Sequence, residues 1–232
     1  MKRFIILILL IVVCYNGFAQ YKVYLLHGYA NHKLIMRKID KDLKKEGFST
    51  ENYSFPGLYT DMDSIGKKLY SDILKEKLDT VSFITYSMGG LIVRAMLKYS
   101  GTDANFPFIY RLVMISPPNQ GADIADFLKS YDILRILLGP NVEKMETDSA
   151  SYANQLPIPC NIEIGIIIGK RGNKKGYNLL IEGDNDGLIK PENTLLGNEK
   201  DTISLKLDHL SLIFRKKSRI KVIKFMKTGY FR

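Results

Sequence analysis

Ser87 is the side chain in this sequence whose surroundings best suit a nucleophile. It lies in Thr85-Tyr86-Ser87-Met88-Gly89, between an apolar run that ends at Thr85 and another that begins at Gly89. A strand that turns sharply into a helix holds its apical serine in a strained conformation and exposes the hydroxyl above the sheet. A glycine at the start of the helix lets the two elements pack closely. The segment therefore predicts a nucleophile elbow, although a serine–glycine turn without chemical function has the same composition.

A serine hydroxyl needs a general base to act as a nucleophile near neutral pH. The sequence offers three histidines, His27, His32 and His209. His209 directly follows the apolar segment 203–207, the last predicted strand, and can reach back over the strand ends. His27 follows the first strand, where a structural role is expected, and His32 begins a helix at the surface or rim. We predict that His209 is the base; capping of the final helix is its alternative role.

The base requires a carboxylate that fixes its tautomer and stabilises the imidazolium. Asp184 and Asp186 lie together in the loop Gly-Asp-Asn-Asp-Gly that precedes the last strand. We choose Asp186 and keep Asp184 as the alternative. Asp208 adjoins His209, but neighbouring side chains in an extended segment point apart. A calcium loop is a further alternative, although the twelve-residue ligand pattern of such loops is missing.

The oxyanion of an acyl-transfer intermediate is stabilised by two backbone amides. We assign these amides to Met88, directly after the serine, and to Tyr29, after the first strand. Gly28 lets the second backbone segment approach closely. The hydroxyl groups of Tyr29 and Tyr86 either line the substrate pocket or pack in the core. His27, Gly28 and Tyr86 are candidates for substrate binding.

The hydrophobic pattern alternates strands with helices along the chain. Strands are predicted over 21–26, 52–55, 81–85, 110–116, 160–169 and 203–207, and the final helix over 211–227. This alternation predicts a parallel sheet with helices on both faces, and ligands of such sheets bind at the carboxyl ends of the strands. The long segment 122–159 is a candidate cap over the site. Its apolar residues Ile124, Leu128, Leu134, Ile136 and Leu137 either form this cap or pack in the core.

Residues 1–19 have the organisation of a signal peptide. Lys2 and Arg3 precede an uncharged stretch over 4–15, and Ala19 ends a small-residue cleavage site. We predict cleavage after Ala19, export to the periplasm or the medium, and a single mature domain over 20–232. The apolar stretch is short for a membrane span, and an uncleaved N-terminal anchor is the alternative. The 232 residues are 46% hydrophobic and 25% charged, which suits one domain with a sizeable core.

The chain is strongly basic, with a formal net charge of +10, or +8 without Lys2 and Arg3. Many of the cations fall in the final helix, which either presents a solvated face or contacts an anionic membrane surface. Aromatic residues do not alternate with the basic ones, so we predict no nucleic-acid partner. Removal of the signal leaves Cys160 as the single cysteine, a core or pre-strand residue without a disulfide partner. No metal-ligand spacing is present, and we predict no cofactor.

Three segments resemble motifs of the α/β-hydrolase fold, specifically of bacterial lipases and esterases akin to triacylglycerol lipases. The elbow over 86–90, Tyr-Ser-Met-Gly-Gly, is similar to their His-Ser-Met-Gly-Gly, with Tyr86 at the histidine position. The segment 116–121 contains Pro-Pro-Asn-Gln-Gly, similar to their Pro-Pro-Asn-x-Gly, and 185–187 resembles their acid loop. The order of serine, aspartate and histidine along the chain is also theirs.

The resemblance implies a minimal α/β-hydrolase fold of about six parallel strands, because the chain begins at what would be the family's third strand. It implies a serine hydrolase that cleaves carboxylic esters, with a lipid-like ester slightly favoured, and adds Pro118 to the substrate-binding residues. An amidase, a thioesterase or an acyltransferase uses the same triad. A non-catalytic binding protein on the hydrolase scaffold is the remaining alternative.

Overall fold

The computed structural model of the chain describes residues 21–129, 131 and 138–232. The predicted signal peptide over 1–19 lies outside the described residues. So do Leu134, Ile136 and Leu137 of the predicted cap. Within the described part, no helix is both long enough and apolar enough to cross a bilayer.

One sheet of six strands forms the centre of the described fold. The strands are β1 (Tyr21–Leu26), β2 (Thr50–Tyr53), β3 (Thr80–Tyr86), β4 (Phe108–Ile115), β5 (Glu163–Lys170) and β6 (Asp201–Lys206). All five pairings are parallel, in the order β2-β1-β3-β4-β5-β6. The predicted parallel sheet of about six strands is confirmed. Since all carboxyl ends lie at one edge, the loops after β1, β3, β4, β5 and β6 are brought together there.

Helices connect the strands across both faces of the sheet. They are α1 (Arg37–Lys45), α2 (Met62–Lys75), α3 (Gly89–Ser100), α4 (Asp123–Lys129), α5 (Tyr152–Gln155), α6 (His209–Phe214) and α7 (Lys216–Thr228). Short 3-10 turns occur at Lys33–Met36, Glu143–Met145 and Glu192–Thr194. The Asp61 side chain accepts a hydrogen bond from Ser64 N and caps α2, as expected for an aspartate at this position.

The hydrophobic core forms two layers, one on each face of the sheet. On one face, α2 and α3 bury residues such as Leu69 and Ile92 against Phe83. On the other face, α1 and α7 bury Leu43 and Phe225, among others, against alternate residues of the same strands. The central strands β3 and β4 supply both layers, which explains why they read as continuous apolar runs in the sequence.

The predicted single helix over 211–227 is wrong, because the chain breaks at Arg215. This residue has φ −73° and ψ 135° and separates α6 from α7. The two helices bury different residues, Leu212 and Ile213 in α6 and Val222 and Phe225 in α7. The break lets α6 stay at the carboxyl edge with His209 at its first residue, while α7 runs along the sheet.

The strand predicted over 160–169 leaves out Cys160, which precedes β5, and the cysteine side chain is exposed and not part of the core. The regular strand begins only at Glu163, and Asn161 has a left-handed backbone with φ 60°. The cysteine therefore lies in a surface loop at the amino edge of the sheet, opposite the predicted site.

The contact between α3 and the sheet requires glycine at position 89. A methyl group built on Gly89 would lie 2.7 Å from the carbonyl oxygens of both Leu26 and His27. Both oxygens belong to the backbone at the end of β1, so they cannot move away as a flexible side chain would. The absence of a side chain at Gly89 is what allows α3 to begin directly beside β1.

We expect Gly89→Ala to lower the free energy of unfolding by roughly 1–3 kcal/mol, because the methyl group overpacks a rigid backbone contact. Thermal or denaturant unfolding measures the change. Gly101→Ala is the matched control at the other end of α3, where the glycine is exposed with φ −63° and its methyl group would lie 3.0 Å from one carbonyl oxygen, that of Leu97. An equal loss of stability in both variants would contradict the proposed cause.

Candidate active site

Ser87 occupies a strained turn between β3 and α3. Its φ is +52°, a left-handed conformation that non-glycine residues rarely adopt. The Ser87 N–H donates to the Ile115 carbonyl at 2.9 Å, which ties the turn to the end of β4. A methyl group on Gly28 would lie 3.0 Å from Ser87 Cβ, so the loop after β1 passes directly beside the serine. This is the geometry that the sequence predicted for a nucleophile elbow.

His209 is the first residue of α6 and is held by Asp186 through both backbone and side chain. The His209 N–H donates to the Asp186 carbonyl oxygen at 2.7 Å. The ring nitrogen Nδ1 lies 2.6 Å from Asp186 Oδ2. A carboxylate accepts only, so a neutral imidazole here carries its proton on Nδ1, and Nε2 remains to accept one. This is the tautomer that a general base needs.

Asp186 is fully buried, and each of its carboxylate oxygens accepts two hydrogen bonds. Oδ1 accepts from the backbone N–H groups of Leu188 and Ile189 at 3.0 and 2.9 Å. Oδ2 accepts from His209 and from the hydroxyl of Ser116. A buried carboxylate with all its acceptor positions used is rigidly oriented and carries no unpaired lone pair into the core.

The environment of Asp186 favours its charged form. Burial alone would raise the pKa of this carboxyl group, and this is the largest single effect. The charge and hydrogen bond of His209, together with hydrogen bonds from Ser116 and Leu188, outweigh it and lower the pKa below its ordinary value of 3.8. The side chain is therefore an anion at neutral pH, as the stabiliser of an imidazolium must be.

The two other acids near this edge have different partners. Asp184 accepts hydrogen bonds from the backbone N–H groups of Arg171 and Gly172 and so closes the turn after β5. Asp208 accepts from Ser211 N and caps α6. Asp186 is thus the carboxylate that contacts His209, in agreement with the choice made from the sequence.

Two residues that organise the acid loop were not singled out from the sequence, Ser116 and Asn185. Ser116 has φ +43° and directs its hydroxyl at Asp186 from the end of β4. Asn185 is fully buried; its Nδ2 donates to three carbonyls, and its Oδ1 accepts from three backbone N–H groups. The asparagine holds the 176–187 loop in one shape. In the sequence, the position of Asn185 between Asp184 and Asp186 was the feature that could have indicated this role.

Tyr86 packs against His209. Its hydroxyl donates to the His209 carbonyl at 3.2 Å, and the two rings lie 5.1 Å apart at 38°. Burial, followed by the charges of Asp186 and Asp208, raises the pKa of the Tyr86 hydroxyl, which therefore stays protonated. The tyrosine that stands where the resembling family has histidine therefore contacts His209, and it also lines the cavity described below.

His27 lies beneath the loop that carries Tyr29. Its ring is fully buried and stacks on Phe55 at 3.9 Å. Nδ1 is 2.9 Å from the Gly28 carbonyl, while Nε2 accepts from Phe55 N at 3.4 Å. Burial lowers the pKa of His27, so the ring is neutral and fits both partners. These contacts are structural and fix the loop from below, as suggested by the position of His27 in the sequence.

Two cavities meet at Ser87. The larger one, of about 780 Å³, has Tyr86, Asp186 and His209 in its lining and opens towards Asn31 and Leu179. The smaller one, of about 210 Å³, is apolar. It is lined by Tyr29, Ser87, Pro118, Ala122, Ile124, Ala125, Leu128, Leu138, Val142, Met145, Leu188 and Ile189. Tyr29, Ser87 and Leu188 line both, so a molecule bound across the serine can extend into either.

The predicted site residues therefore form two groups, those that line the cavities and those that pack behind the lining residues. Ser87, Asp186, His209, Tyr29, Tyr86 and Pro118 each line at least one of the two cavities. Gly28, Met88 and His27 lie behind them: Met88 is fully buried at the start of α3, and Gly28 packs against Ser87. Among the described residues, no group of three or more histidine, cysteine, aspartate or glutamate side chains is arranged to hold a metal ion.

Comparison with solved structures identifies bacterial lipases and hydrolases. The mature lipase BlEst2 of Bacillus licheniformis superimposes with a TM-score of 0.70 at 20% identity, covering 92% of this chain and 93% of the other. The product of gene lin2722 of Listeria innocua gives 0.65 at 16% identity, covering 90% and 94%. An extracellular α/β-hydrolase from a Paenibacillus species gives 0.57 at 14% identity, covering 90% and 99%.

These likenesses establish the fold. At such identities they do not carry activity from one protein to the other. Protein-family models give no match to the chain, and neither do the sequences of curated proteins. The resemblance to α/β-hydrolases noted in the sequence is confirmed at the level of three-dimensional structure.

Replacing Asp186 by Asn tests the role of the buried carboxylate. We expect the variant to lose roughly 1–3 kcal/mol of unfolding free energy at pH 7, because amide nitrogen replaces an acceptor for Ser116 and His209. The difference from wild type should shrink as the pH falls. A carboxylate with a lowered pKa stabilises the fold above its ordinary pKa of 3.8 and loses that contribution as the pH drops through the folded value.

Denaturant unfolding of wild type, Asp186→Asn and Asp184→Asn at pH 7 and pH 3 provides the measurement. Asp184→Asn is the control, since it removes a carboxylate from the same loop but not from His209. A wild-type advantage over Asp186→Asn that stays constant between the two pH values would contradict the assignment.

Proposed function

We propose, from the α/β-hydrolase fold of the chain, that this protein is a serine hydrolase that cleaves carboxylic esters through an acyl-enzyme. One observation carries the proposal. Ser87 is held at a strained strand–helix turn and lines the same cavity as a histidine whose Nδ1 is bound by a buried, charged Asp186. A strained, half-buried serine in one cavity with an imidazole whose Nδ1 is bound by a carboxylate is the arrangement that activates a hydroxyl.

The first half of the reaction forms the acyl-enzyme. His209 Nε2 takes the proton of Ser87 as Oγ attacks the ester carbonyl carbon, and Asp186 stabilises the imidazolium that results. The oxyanion is held by the backbone amides of Met88 and Tyr29. Met88 lies at the N-terminus of α3, where the helix dipole favours negative charge. His209 then gives its proton to the departing alcohol, and the acyl group remains on Ser87.

In the second half of the reaction, water hydrolyses the acyl-enzyme with the help of the same residues. His209 takes a proton from a water molecule as the oxygen attacks the acyl carbon, and returns a proton to Ser87 as the carboxylic acid leaves. The cavity above His209 is wide enough to admit water from solvent. Acyl transfer to an alcohol or another acceptor in the same cavity is the second use of the triad.

The two cavities suggest how an ester binds. The small apolar cavity suits the acyl chain, since Ala125, Leu128, Val142 and Met145 offer only apolar contacts. The large cavity, which contains polar groups of Asn31, Tyr177 and Asp208, suits the alcohol portion. A lipid-like ester with one apolar and one polar end fits this division. An amidase or thioesterase would use the same machinery with a different leaving group.

A fluorophosphonate probe tests the nucleophile. Wild-type protein should become labelled, and Ser87→Ala should lose labelling and at least about 10³-fold of its esterase activity, because no other group replaces the missing oxygen. Ser64→Ala, which changes an exposed serine on α2, is the matched control and should label normally. Labelling of Ser87→Ala, or none of wild type, would disprove the proposed function.

Ala125→Phe tests the acyl cavity. Filling this apolar space should reduce kcat/KM for p-nitrophenyl octanoate at least tenfold relative to that for the butyrate, since pocket contacts worth 1–3 kcal/mol separate chain lengths. The butyrate rate serves as the internal control for folding. An unchanged ratio between the two esters would mean that the acyl chain binds elsewhere.

A further inference from the structure

The mouth of the larger cavity is surrounded by exposed apolar side chains. Leu179 is 77% exposed, Leu180 63% and Leu210 54%, and both Leu179 and Leu210 line the cavity. Leu34 and Phe214, 65% and 39% exposed, lie next along this edge, where α6 packs against the turn at 33–36. We name these five residues the apolar rim. Exposed large side chains gathered at one opening differ from the isolated ones common on protein surfaces.

The segments that carry the apolar rim are rich in cations. The three segments that carry it, 31–38, 171–188 and 208–217, contain nine lysine and arginine residues against four acids. The cations are Lys33, Arg37, Lys38, Arg171, Lys174, Lys175, Arg215, Lys216 and Lys217, and all nine are exposed. None of them forms an ion pair with a described acidic side chain.

The acids in these segments offset only part of this positive charge, since nine cations face four acids. Asp186 is buried against His209, Asp184 accepts from two backbone N–H groups of the 171–172 turn, and Asp208 caps α6. Glu182 is the exposed acid that remains in the three segments. The fold explains why the cations collect here, because α1 and α7 both begin at the carboxyl edge and the basic turn after β5 also lies there.

We propose that this edge docks onto the surface of an anionic phospholipid bilayer, with the apolar rim inserted between headgroups and the nine cations against lipid phosphates. Leucine and phenylalanine side chains beside lysine and arginine are the combination that interfacial binding requires, since apolar burial and electrostatic attraction add. The proposal deepens the proposed hydrolase function, on which it rests for the substrate. A bilayer ester would then enter the cavity directly from the membrane.

Vesicle sedimentation with Ser87→Ala protein tests docking without turnover. The protein should sediment with vesicles of phosphatidylcholine containing 30% phosphatidylglycerol, should bind pure phosphatidylcholine at least about tenfold more weakly, and should be released by salt. Every variant retains the same N-terminal segment, so any contribution of that segment is equal in all comparisons.

Two double variants address the two parts of the surface. In the Ser87→Ala background, Lys174→Glu with Lys175→Glu should weaken anionic-vesicle binding at least about tenfold. Leu179→Ser with Leu180→Ser should weaken it to a similar degree. The controls are Lys45→Glu with Lys224→Glu, which changes the same charge far from the rim on α1 and α7, and Ile158→Ser, which removes an exposed apolar side chain elsewhere.

The results separate docking from catalysis. Equal binding of rim and control variants would overturn the proposal, as would equal binding to neutral and anionic vesicles. Heparin, a soluble polyanion, provides a further test. The proposal would also be overturned if the protein bound heparin through Lys174 and Lys175 but not through Leu179 and Leu180, and did not sediment with vesicles. If the protein binds anionic vesicles but the wild type is not labelled by the fluorophosphonate, the docking proposal stands and the proposed hydrolase function is rejected.

Discussion

The buried carboxylate of Asp186 is the interaction on which the carboxyl edge of this sheet depends. It connects the end of β4 through Ser116, the loop after β5 through its own backbone, and the start of α6 through His209. A charge removed from water is unfavourable unless its acceptor positions are filled. The four hydrogen bonds therefore stabilise the anion and at the same time fix the relative positions of the loops that donate them.

The fold could be read from the sequence because its signals are local. The buried strands are short apolar runs, and the elbow combines such a run with glycines at fixed offsets. Ser87 and His209 follow strand ends, and Asp186 lies in the loop between the last two strands, so a parallel sheet predicts that they meet. The resemblance to hydrolases came from the same segments, and the superposition on lipases of known structure agrees with it at the level of fold.

What the sequence did not reveal depends on long-range contacts. Ser116 is one of many serines, and only the approach of the 183–187 loop makes it a donor to Asp186. Arg94 is similar: an arginine in an apolar helix gives no indication that its guanidinium is buried and donates to the carbonyls of Asn119, Leu156 and Pro157. Burial lowers the pKa of Arg94 to about 10. The break at Arg215 likewise arises because α6 and α7 pack against different surfaces.

His209 comes long after Ser87 along the chain, and this order has a consequence for the timing of biosynthesis. The serine elbow is complete once about 100 residues have been made, but β6 and the segment after it come near the end of the chain. A growing polypeptide that still lacks these residues has the Ser87 turn but not the His209 side chain that contacts Asp186. If the chain is exported unfolded, the site of the proposed hydrolase is first assembled on the far side of the membrane, and the lipids of the compartment where translation occurs do not meet the assembled site.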